Sequence, residues 1–376
     1  MFAWIWHCCT PDLRKRDTSL VVGRPIRDPK PPAVAFRESI GLLTYNIFMR
    51  PDNPISSSTE YQDYRASLFL DHVLPNYDIV CLQEMFNLPY STRRHEFVEE
   101  ARDRGFKWHL ASSRTHSLSP SIDGGLLILS KLPIVRQDVL NFSSAAFADW
   151  YAAKGVLYAL VQVGPNEGHY VHMFCTHLQA TYDEEGKDVS ERVRKDQISQ
   201  TVAFIKKCIY NREEWPIIIC GDLNVQCRKS GQDGSDSQEY TDMIAILKNG
   251  LGERGELIRD LPKEIDGVTH PITYADAHVD TDGNINFRET SLNDVESLKQ
   301  SSLWYNQSLD KIFFIPPCKS ASMIEPAITS VNPLLIQKEQ WKMSDDTHLT
   351  HLSDHYAIET KLRVRLEPLP TSFSTN

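Results

Sequence analysis

Short apolar runs that each end on a polar side chain constrain this chain most. Leu42-Leu43-Thr44-Tyr45-Asn46, Ile79-Val80-Cys81-Leu82-Gln83-Glu84, Phe174-Cys175-Thr176-His177 and Ile217-Ile218-Ile219-Cys220-Gly221-Asp222-Leu223-Asn224 all follow the pattern. Ser353-Asp354-His355 opens one further run. Runs this short, rich in Ile, Val and Leu and bounded by Gly, Pro or Asp, read as buried strands. A carboxylate, amide or imidazole at the end of a core strand adds nothing to packing. It is better explained as a group aimed into a cleft.

The pattern predicts strands over 41–48, 78–84, 124–130, 155–163, 169–177, 216–221, 309–315 and 355–364. Segments 124–130 and 155–163 are expected as antiparallel neighbours. So are 155–163 and 169–177, which flank the turn Gly164-Pro165-Asn166-Glu167-Gly168. Helices are expected over 60–74, 91–104, 188–211 and 237–248. In the third, Val193, Gln197, Val202, Ile205, Cys208 and Ile209 recur at helical spacing, with Arg and Lys between them. Strands alternating with helices in both halves imply an α/β fold of two packed mixed sheets with outer helices, a four-layer α/β/β/α sandwich. Residues 1–37 read as an N-terminal arm, 38–366 as one catalytic domain and 367–376 as a short tail. The polar segments 226–240 and 275–308 are long enough to be carried for function.

At 376 residues, 41% hydrophobic and 24% charged, the composition is that of a soluble globular protein. The formal net charge of -10 gives no global attraction to phosphate backbones, so no nucleic-acid partner is expected, although a local basic groove could coexist with it. No apolar run reaches transmembrane length. The opening Met1-Phe2-Ala3-Trp4-Ile5-Trp6-His7-Cys8-Cys9 is too short for a signal peptide and lacks its charged flank. Cys81, Cys175 and Cys220 each fall inside an expected core strand, where a buried free thiol is the simplest reading. An intracellular, reducing location is therefore expected.

Glu84 closes its strand with a hard oxygen donor, and a Mg²⁺ ion that keeps several waters needs only one or two such carboxylates. Taken alone, that string is more simply a strand-end carboxylate paired with a surface Arg. Asp222 and Asn224 point the same way after Gly221 and put an acceptor beside an amide donor. The plainer alternative is a turn with Asx hydrogen bonds. His177 and His355 would each alone be structural hydrogen-bonders. His355, however, follows Asp354, and a neighbouring carboxylate favours the imidazolium and orients the ring. Together these strand-end groups suit metal-assisted attack on a phosphodiester.

Eight strings in order carry a family resemblance. They are Thr44-Tyr45-Asn46, Leu82-Gln83-Glu84, Asp123-Gly124-Gly125 with Ser130-Lys131-Leu132-Pro133-Ile134, Lys154-Gly155-Val156, Thr176-His177-Leu178-Gln179-Ala180, Gly221-Asp222-Leu223-Asn224-Val225, Leu309-Asp310-Lys311-Ile312 and Ser353-Asp354-His355. From residue 41 to about 362 the chain resembles the DNase I-like endonuclease/exonuclease/phosphatase superfamily. Within it, the chain is similar to the neutral sphingomyelinases and the bacterial sphingomyelinase C enzymes. His177-Leu178-Gln179-Ala180 and the stretch from Asp149 to Lys154-Gly155 point to sphingomyelinases rather than nucleases.

The resemblance implies a DNase I-like sandwich and a Mg²⁺-dependent phosphodiesterase, with Mn²⁺ as the alternative ion, that splits sphingomyelin into ceramide and phosphocholine. Glu84 would be the main metal ligand, with Asn46 close by. His355 would be the general base, and Asp310 would orient a histidine. His177, Asp222 and Asn224 would contact the phosphate and the developing charge. Asp354 would help position the metal and its waters. Asp149 and Lys154 match a pair that in these enzymes is coupled to switching the site into its active state. Lys154 otherwise reads as a plain phosphate-binding cation.

The match thins in places. Trp150 and Tyr151 bring two aromatics beside the Asp149–Lys154 pair, and loop 275–308 matches nothing in the family. Three other readings stay open: a phospholipase C acting on a lipid such as lyso-phosphatidylcholine, a superfamily nuclease or inositol-phosphate phosphatase, and an inactive lipid-binding scaffold. The 5-phosphatases usually carry Trp-Cys-Asp-Arg where this chain has Ser308-Leu309-Asp310-Lys311. The abasic-site nucleases usually carry Glu-Thr-Lys where it has Glu84-Met85-Phe86. A scaffold would not need every catalytic position filled. A substrate held in a bilayer demands attachment. Phe2, Trp4, Ile5 and Trp6 suit the bilayer interface, and Cys8 and Cys9 are acylation candidates. A peripheral membrane enzyme acting on phospholipid at a membrane surface is therefore expected, with a packed or disordered arm as the plain alternative.

Overall fold

Side chains alternate between the two faces of a strand, so a strand buried on both faces feeds two cores at once. The computed structural model describes residues 33–50, 61–87, 91–112, 122–182, 185–229, 234–266, 269–274, 277–279, 285–287, 307–318, 322–334, 341 and 351–367. Its first half contains β1 (Ser39–Met49), β2 (Ile79–Met85), β3 (Trp108–Ala111), β4 (Ile122–Asp123), β5 (Leu127–Ser130), β6 (Ile134–Asn141), β7 (Ala152–Ala153), β8 (Gly155–Gln162) and β9 (Tyr170–His177). There follow β10 (Ile217–Asp222), β11 (Arg259–Asp260), β12 (Ala277–Val279), β13 (Ile285–Phe287), β14 (Asp310–Ile315), β15 (Ile324–Asn332) and β16 (Ala357–Val364). Helices are α1 (Gln62–Leu68), α2 (Arg93–Asp103), α3 (Lys187–Ile209), α4 (Gln238–Leu251) and α5 (Leu261–Asp266).

Two six-stranded mixed sheets form, in the orders β15-β16-β1-β2-β5-β3 and β11-β14-β10-β9-β8-β6. Each has one parallel pair at its centre, β1 with β2 and β9 with β10, and antiparallel partners outside it. Ile40 and Leu42 of β1 face Ile218 and Cys220 of β10 and Ile312 and Phe314 of β14 in the core between the sheets. Leu43, Tyr45 and Ile47 face the other way, onto Phe69 and Phe97 of the first helical layer. On the far side, Phe174, Ile219 and Phe313 pack under Ile198, Ile205 and Met243 of α3 and α4. The stack is helix, sheet, sheet, helix, the expected sandwich.

That inner stripe also delivers the polar residues. Continuing it past Leu42 gives Thr44 and Asn46, past Cys175 gives His177, and past Cys220 gives Asp222. Asp310 stands at the other end of β14, which runs antiparallel. Register puts Asp222 directly opposite His177 on one side and Asp310 on the other.

A bulge interrupts the β1/β2 pairing. Between Asn46↔Gln83 and Met49↔Met85, Ile47 and Phe48 face the single residue Glu84. Phe48 (φ 56°) and Glu84 (φ 61°) both lie in the left-handed region, which costs about 1–3 kcal/mol for a non-glycine residue and is typical of functional sites. Gly125 (φ 68°) closes on this turn: a Cβ there would stand 3.1 Å from Glu84 Cα and 2.9 Å from the Phe86 ring.

Three sequence expectations need revision. Segment 124–130 is not a neighbour of 155–163: β5 pairs with β2 and β3 in one sheet, β8 with β6 and β9 in the other. Ser130-Lys131-Leu132-Pro133 carries the chain between sheets, and β6 follows it. In the Arg136-Gln137-Asp138 centre of β6, Arg136 and Asp138 are half-buried and Gln137 is exposed, which masks its strand character. β15 is an unanticipated edge strand, with Pro326 at its own register shift. Residues 1–32 of the arm, 368–376 of the tail and most of loop 275–308 lie outside the described residues. Two described pieces of that loop, β12 and β13, pair as a hairpin. Among the described residues, no helix is long and apolar enough to cross a membrane.

Candidate active site

Asn46 is the junction. Its Oδ1 accepts the Phe48 N–H at 3.1 Å, which orients the amide. Its Nδ2 then faces Glu84 Oε1 at 3.2 Å, Asp222 Oδ2 at 3.0 Å and His355 Nε2 at 3.4 Å. Ser353 Oγ donates to the Asn46 carbonyl at 2.6 Å and accepts the His355 N–H at 3.1 Å, so the two turns are stitched together. Burial, and then the charge of Asp354, raise the Glu84 carboxyl above its ordinary range, against the lowering pull of Arg50, His355 and Asn46. Glu84 Oε2 is buried and has no hydrogen-bond partner among the described residues.

His355 Nδ1 lies 2.9 Å from Asp310 Oδ2, and the Tyr274 ring packs against the imidazole at a centroid distance of 4.9 Å. Thr273 Oγ1 accepts the N–H groups of Leu309 and Asp310 at 2.9 and 3.0 Å, which fixes the start of β14. Burial by itself would lower the pKa of His355. Asp310, then Asp222, outweigh it and hold the imidazolium well above the ordinary histidine range. Burial lifts Asp310 to about 6 although His355 opposes it. Burial would also raise Asp222, but His355, His177, Lys154 and the Asn224 N–H (2.9 Å to Oδ1) keep it below the usual carboxylate range.

Lys154, just before β8, is buried with all three ammonium protons occupied: by Asp149 Oδ2 at 2.9 Å, His177 Nε2 at 3.1 Å and the Leu178 carbonyl at 2.8 Å. Asp149 also accepts from the Ala180 N–H and the Tyr182 hydroxyl, both at 2.8 Å. Burial, then Lys154, push His177 down to about 3, so its ring is neutral. Because Nε2 accepts from Lys154, the ring proton sits on Nδ1, which has no partner among the described residues. Behind this pair, α3 grips both flanking loops: Gln197 accepts the Gln179 N–H at 2.8 Å and donates to the Ser144 carbonyl at 2.9 Å.

Asn46, Glu84, Lys154, Asp149, His177, Asp222, Asn224, Asp310 and His355 thus form one hydrogen-bonded constellation at the end of the inter-sheet core. Asn224 joins it through Asp222 and through the Leu178 carbonyl, 3.2 Å from its Nδ2. Asp354 stands slightly apart, bonded to Ser353 Oγ at 3.1 Å and acting on Glu84 and His355 by charge. Thr273, Tyr274, Tyr182 and Ser353 complete the support. The loop residues Thr273, Tyr274 and Tyr182 have no periodic signal, and only Ser353 stood inside a string that already drew notice.

Asp222, Asp310 and His355 place ligand atoms within 4.8 Å of one another. In that trio His355 Nδ1 is already engaged by Asp310 Oδ2 at 2.9 Å. Glu84 fits a hard cation better: its unpartnered oxygen is buried, and a cation would relieve the burial and Asp354 repulsion that raise it.

A seam of carboxylates, amides and imidazoles between two sheets is the frame of a phosphoesterase. Residues 43–240, over half the chain, match the Endonuclease/Exonuclease/phosphatase family, and the chain belongs to it. Its curated relatives include proteins named sphingomyelinase and phospholipase C, and with them it is a phosphodiester hydrolase. It is 28% identical over 362 residues to a sphingomyelinase of Dictyostelium discoideum, covering 84% of this chain and 77% of that protein. It is 30% identical over 224 residues to sphingomyelinase C of Bacillus cereus, covering 56% of this chain and 63%, just under two thirds, of that one. A double mutant of beta toxin from Staphylococcus aureus with bound magnesium ions superposes with a TM-score of 0.57 at 19% identity, covering 87% of this chain and 100% of that one, which establishes the shared fold.

Proposed function

We propose that this chain is a Mg²⁺-dependent sphingomyelin phosphodiesterase that releases phosphocholine and ceramide at a membrane surface. The observation that carries the reading is the Asp149–Lys154 pair seated on His177, in the stretch whose sequence resembles sphingomyelinases rather than nucleases. The names of the relatives and the magnesium in the beta toxin structure support it.

When bound, a divalent cation would supply positive charge to the phosphoryl oxygens and offset the carboxylates that hold His355 protonated. Neutral His355 takes the proton of the attacking water at Nε2, while Asp310 at Nδ1 holds the ring and stabilises the imidazolium that results. His177, whose Nε2 lies 3.1 Å from Lys154 Nζ and 3.4 Å from Asp222 Oδ2, contributes with the Lys154 ammonium to the polar surroundings of the developing charge.

The test is phosphocholine release from sphingomyelin in detergent micelles, beside lyso-phosphatidylcholine and an abasic DNA duplex. Release from sphingomyelin, abolished by EDTA and restored by Mg²⁺ or Mn²⁺, is expected. Cleavage of the duplex without lipid hydrolysis overturns the reading. Faster release from lyso-phosphatidylcholine moves the specificity within the same chemistry.

A further inference from the structure

We propose that Arg65, in the helical layer outside the first sheet, is a positioning residue for the catalytic turns. Arg65 is fully buried. From α1 its guanidinium donates through Nη1 to the carbonyls of Ile47 and Leu352, both at 2.8 Å, and through Nη2 to that of Phe48 at 2.6 Å.

The need for it follows from the bulge. Where Ile47 and Phe48 together face Glu84, β1 leaves regular register with β2. A buried carbonyl displaced from a ladder costs about 1–3 kcal/mol unless something donates to it. A guanidinium carries five N–H groups in a rigid fork, so it can serve several such carbonyls at once; an ammonium is a point charge without that geometry.

The third carbonyl gives the clamp its reach. Leu352 immediately precedes Ser353-Asp354-His355. Arg65 therefore fastens from behind the two turns whose front faces present Asn46 Nδ2 and His355 Nε2, 3.4 Å apart. It also holds Phe48, whose N–H fixes which way the Asn46 amide points. Through these three bonds Arg65 acts on the backbone of both turns. The proposal concerns the phosphodiesterase site itself and does not depend on which lipid is its substrate.

The experiment compares Arg65→Lys and Arg65→Ala with wild type by amide hydrogen exchange, and by kinetics on bis(p-nitrophenyl) phosphate and sphingomyelin micelles. Both variants are expected to lose protection at residues 46–49 and 353–355 together, while β9 and β10 keep theirs. The kcat should fall by up to about 10²-fold, the scale of a small misplacement of catalytic groups, with KM little changed. Guanidinium ion should restore part of the kcat of Arg65→Ala and none of that of Glu84→Gln. Should Arg65→Ala not fold, Arg65→Lys carries the test. Unchanged protection in both segments of a folded Arg65→Lys protein overturns the proposal, as does wild-type kcat or a loss residing wholly in KM.

Discussion

Asn46 Nδ2 donates to Asp222 Oδ2 across 3.0 Å, and that bond runs from one sheet to the other. Asn46, Glu84 and His355 belong to or border the first sheet; Lys154, His177, Asp222 and Asp310 belong to or border the second. One row deeper, Gln83 Nε2 repeats the crossing, reaching Thr44 Oγ1 at 3.2 Å and Cys175 Sγ at 3.4 Å. The chemistry is therefore made by docking, and the spacing of the sheets is felt first at the site.

Glu84→Gln keeps the volume of the side chain and removes its charge. Turnover is expected to fall by roughly 10³-fold, with a thermal midpoint at or above that of wild type, because burial already disfavours the carboxylate there. EDTA should reproduce the loss in wild type, reversibly on adding Mg²⁺. Turnover that survives both treatments removes the metal from the mechanism.

Lys154→Met leaves the Asp149 carboxylate buried without its cation. Breaking such a pair typically costs about 3–5 kcal/mol. The double variant Lys154→Met/Asp149→Asn should recover part of that stability and none of the lost turnover. Urea midpoints and kcat measured on the same samples separate the two effects. A fully active Lys154→Met enzyme would show the pair to be structural only.

Stability should decline in mild acid. His172 is buried between Tyr158 Oη (3.0 Å) and the Arg212 carbonyl (2.9 Å), and burial pushes its pKa down to about 4. Its folded pKa lies below the unfolded value, so the unfolded chain binds the extra proton. The contribution is fully present above the unfolded pKa and is lost as pH falls toward the folded one. At pH 5 the loss is about 2 kcal/mol. Urea midpoints at pH 7 and 5 should differ accordingly, and His172→Gln should shrink the difference. An unaltered difference in that variant assigns the acid sensitivity elsewhere, His270 being held at about 4 for the same first reason.

The proposed membrane attachment rests on Phe2, Trp4, Ile5, Trp6, Cys8 and Cys9. Deleting residues 1–10 should shift the protein to the soluble fraction and slow hydrolysis in vesicles, with micellar rates near normal. Equal vesicle binding by both forms would refute it.

The sequence displayed the site better than its scaffold. Strand-end residues such as Glu84 and Asp222 stand out because an apolar run makes a polar terminus conspicuous. β6 and β15 did not stand out, since half-exposed strands with Arg136, Asp138 or Pro326 dilute the period-2 pattern. Arg65 lies on its helix like any surface residue, and its burial follows from a bulge that no local string announces. Gln197 fell inside the helical stripe, but the loops it holds did not show in any string. The misplaced neighbour of 155–163 has the same origin, because nothing in Ser130-Lys131-Leu132-Pro133 says that the chain changes sheets there.

Pairing of β1 with β16 sets an order on how the chain can mature. β1 sits inside its sheet, yet its antiparallel neighbour carries residues such as Arg363 opposite Ser39. His355 leaves the ribosome 309 residues after Asn46. At roughly 5–20 residues per second, the nascent chain keeps one flank of β1 uncovered for about a quarter of a minute to a minute. During that interval the half-made sheet offers an open apolar edge to other chains. Chaperone demand during synthesis should therefore track the arrival of β16 rather than the completion of the first half.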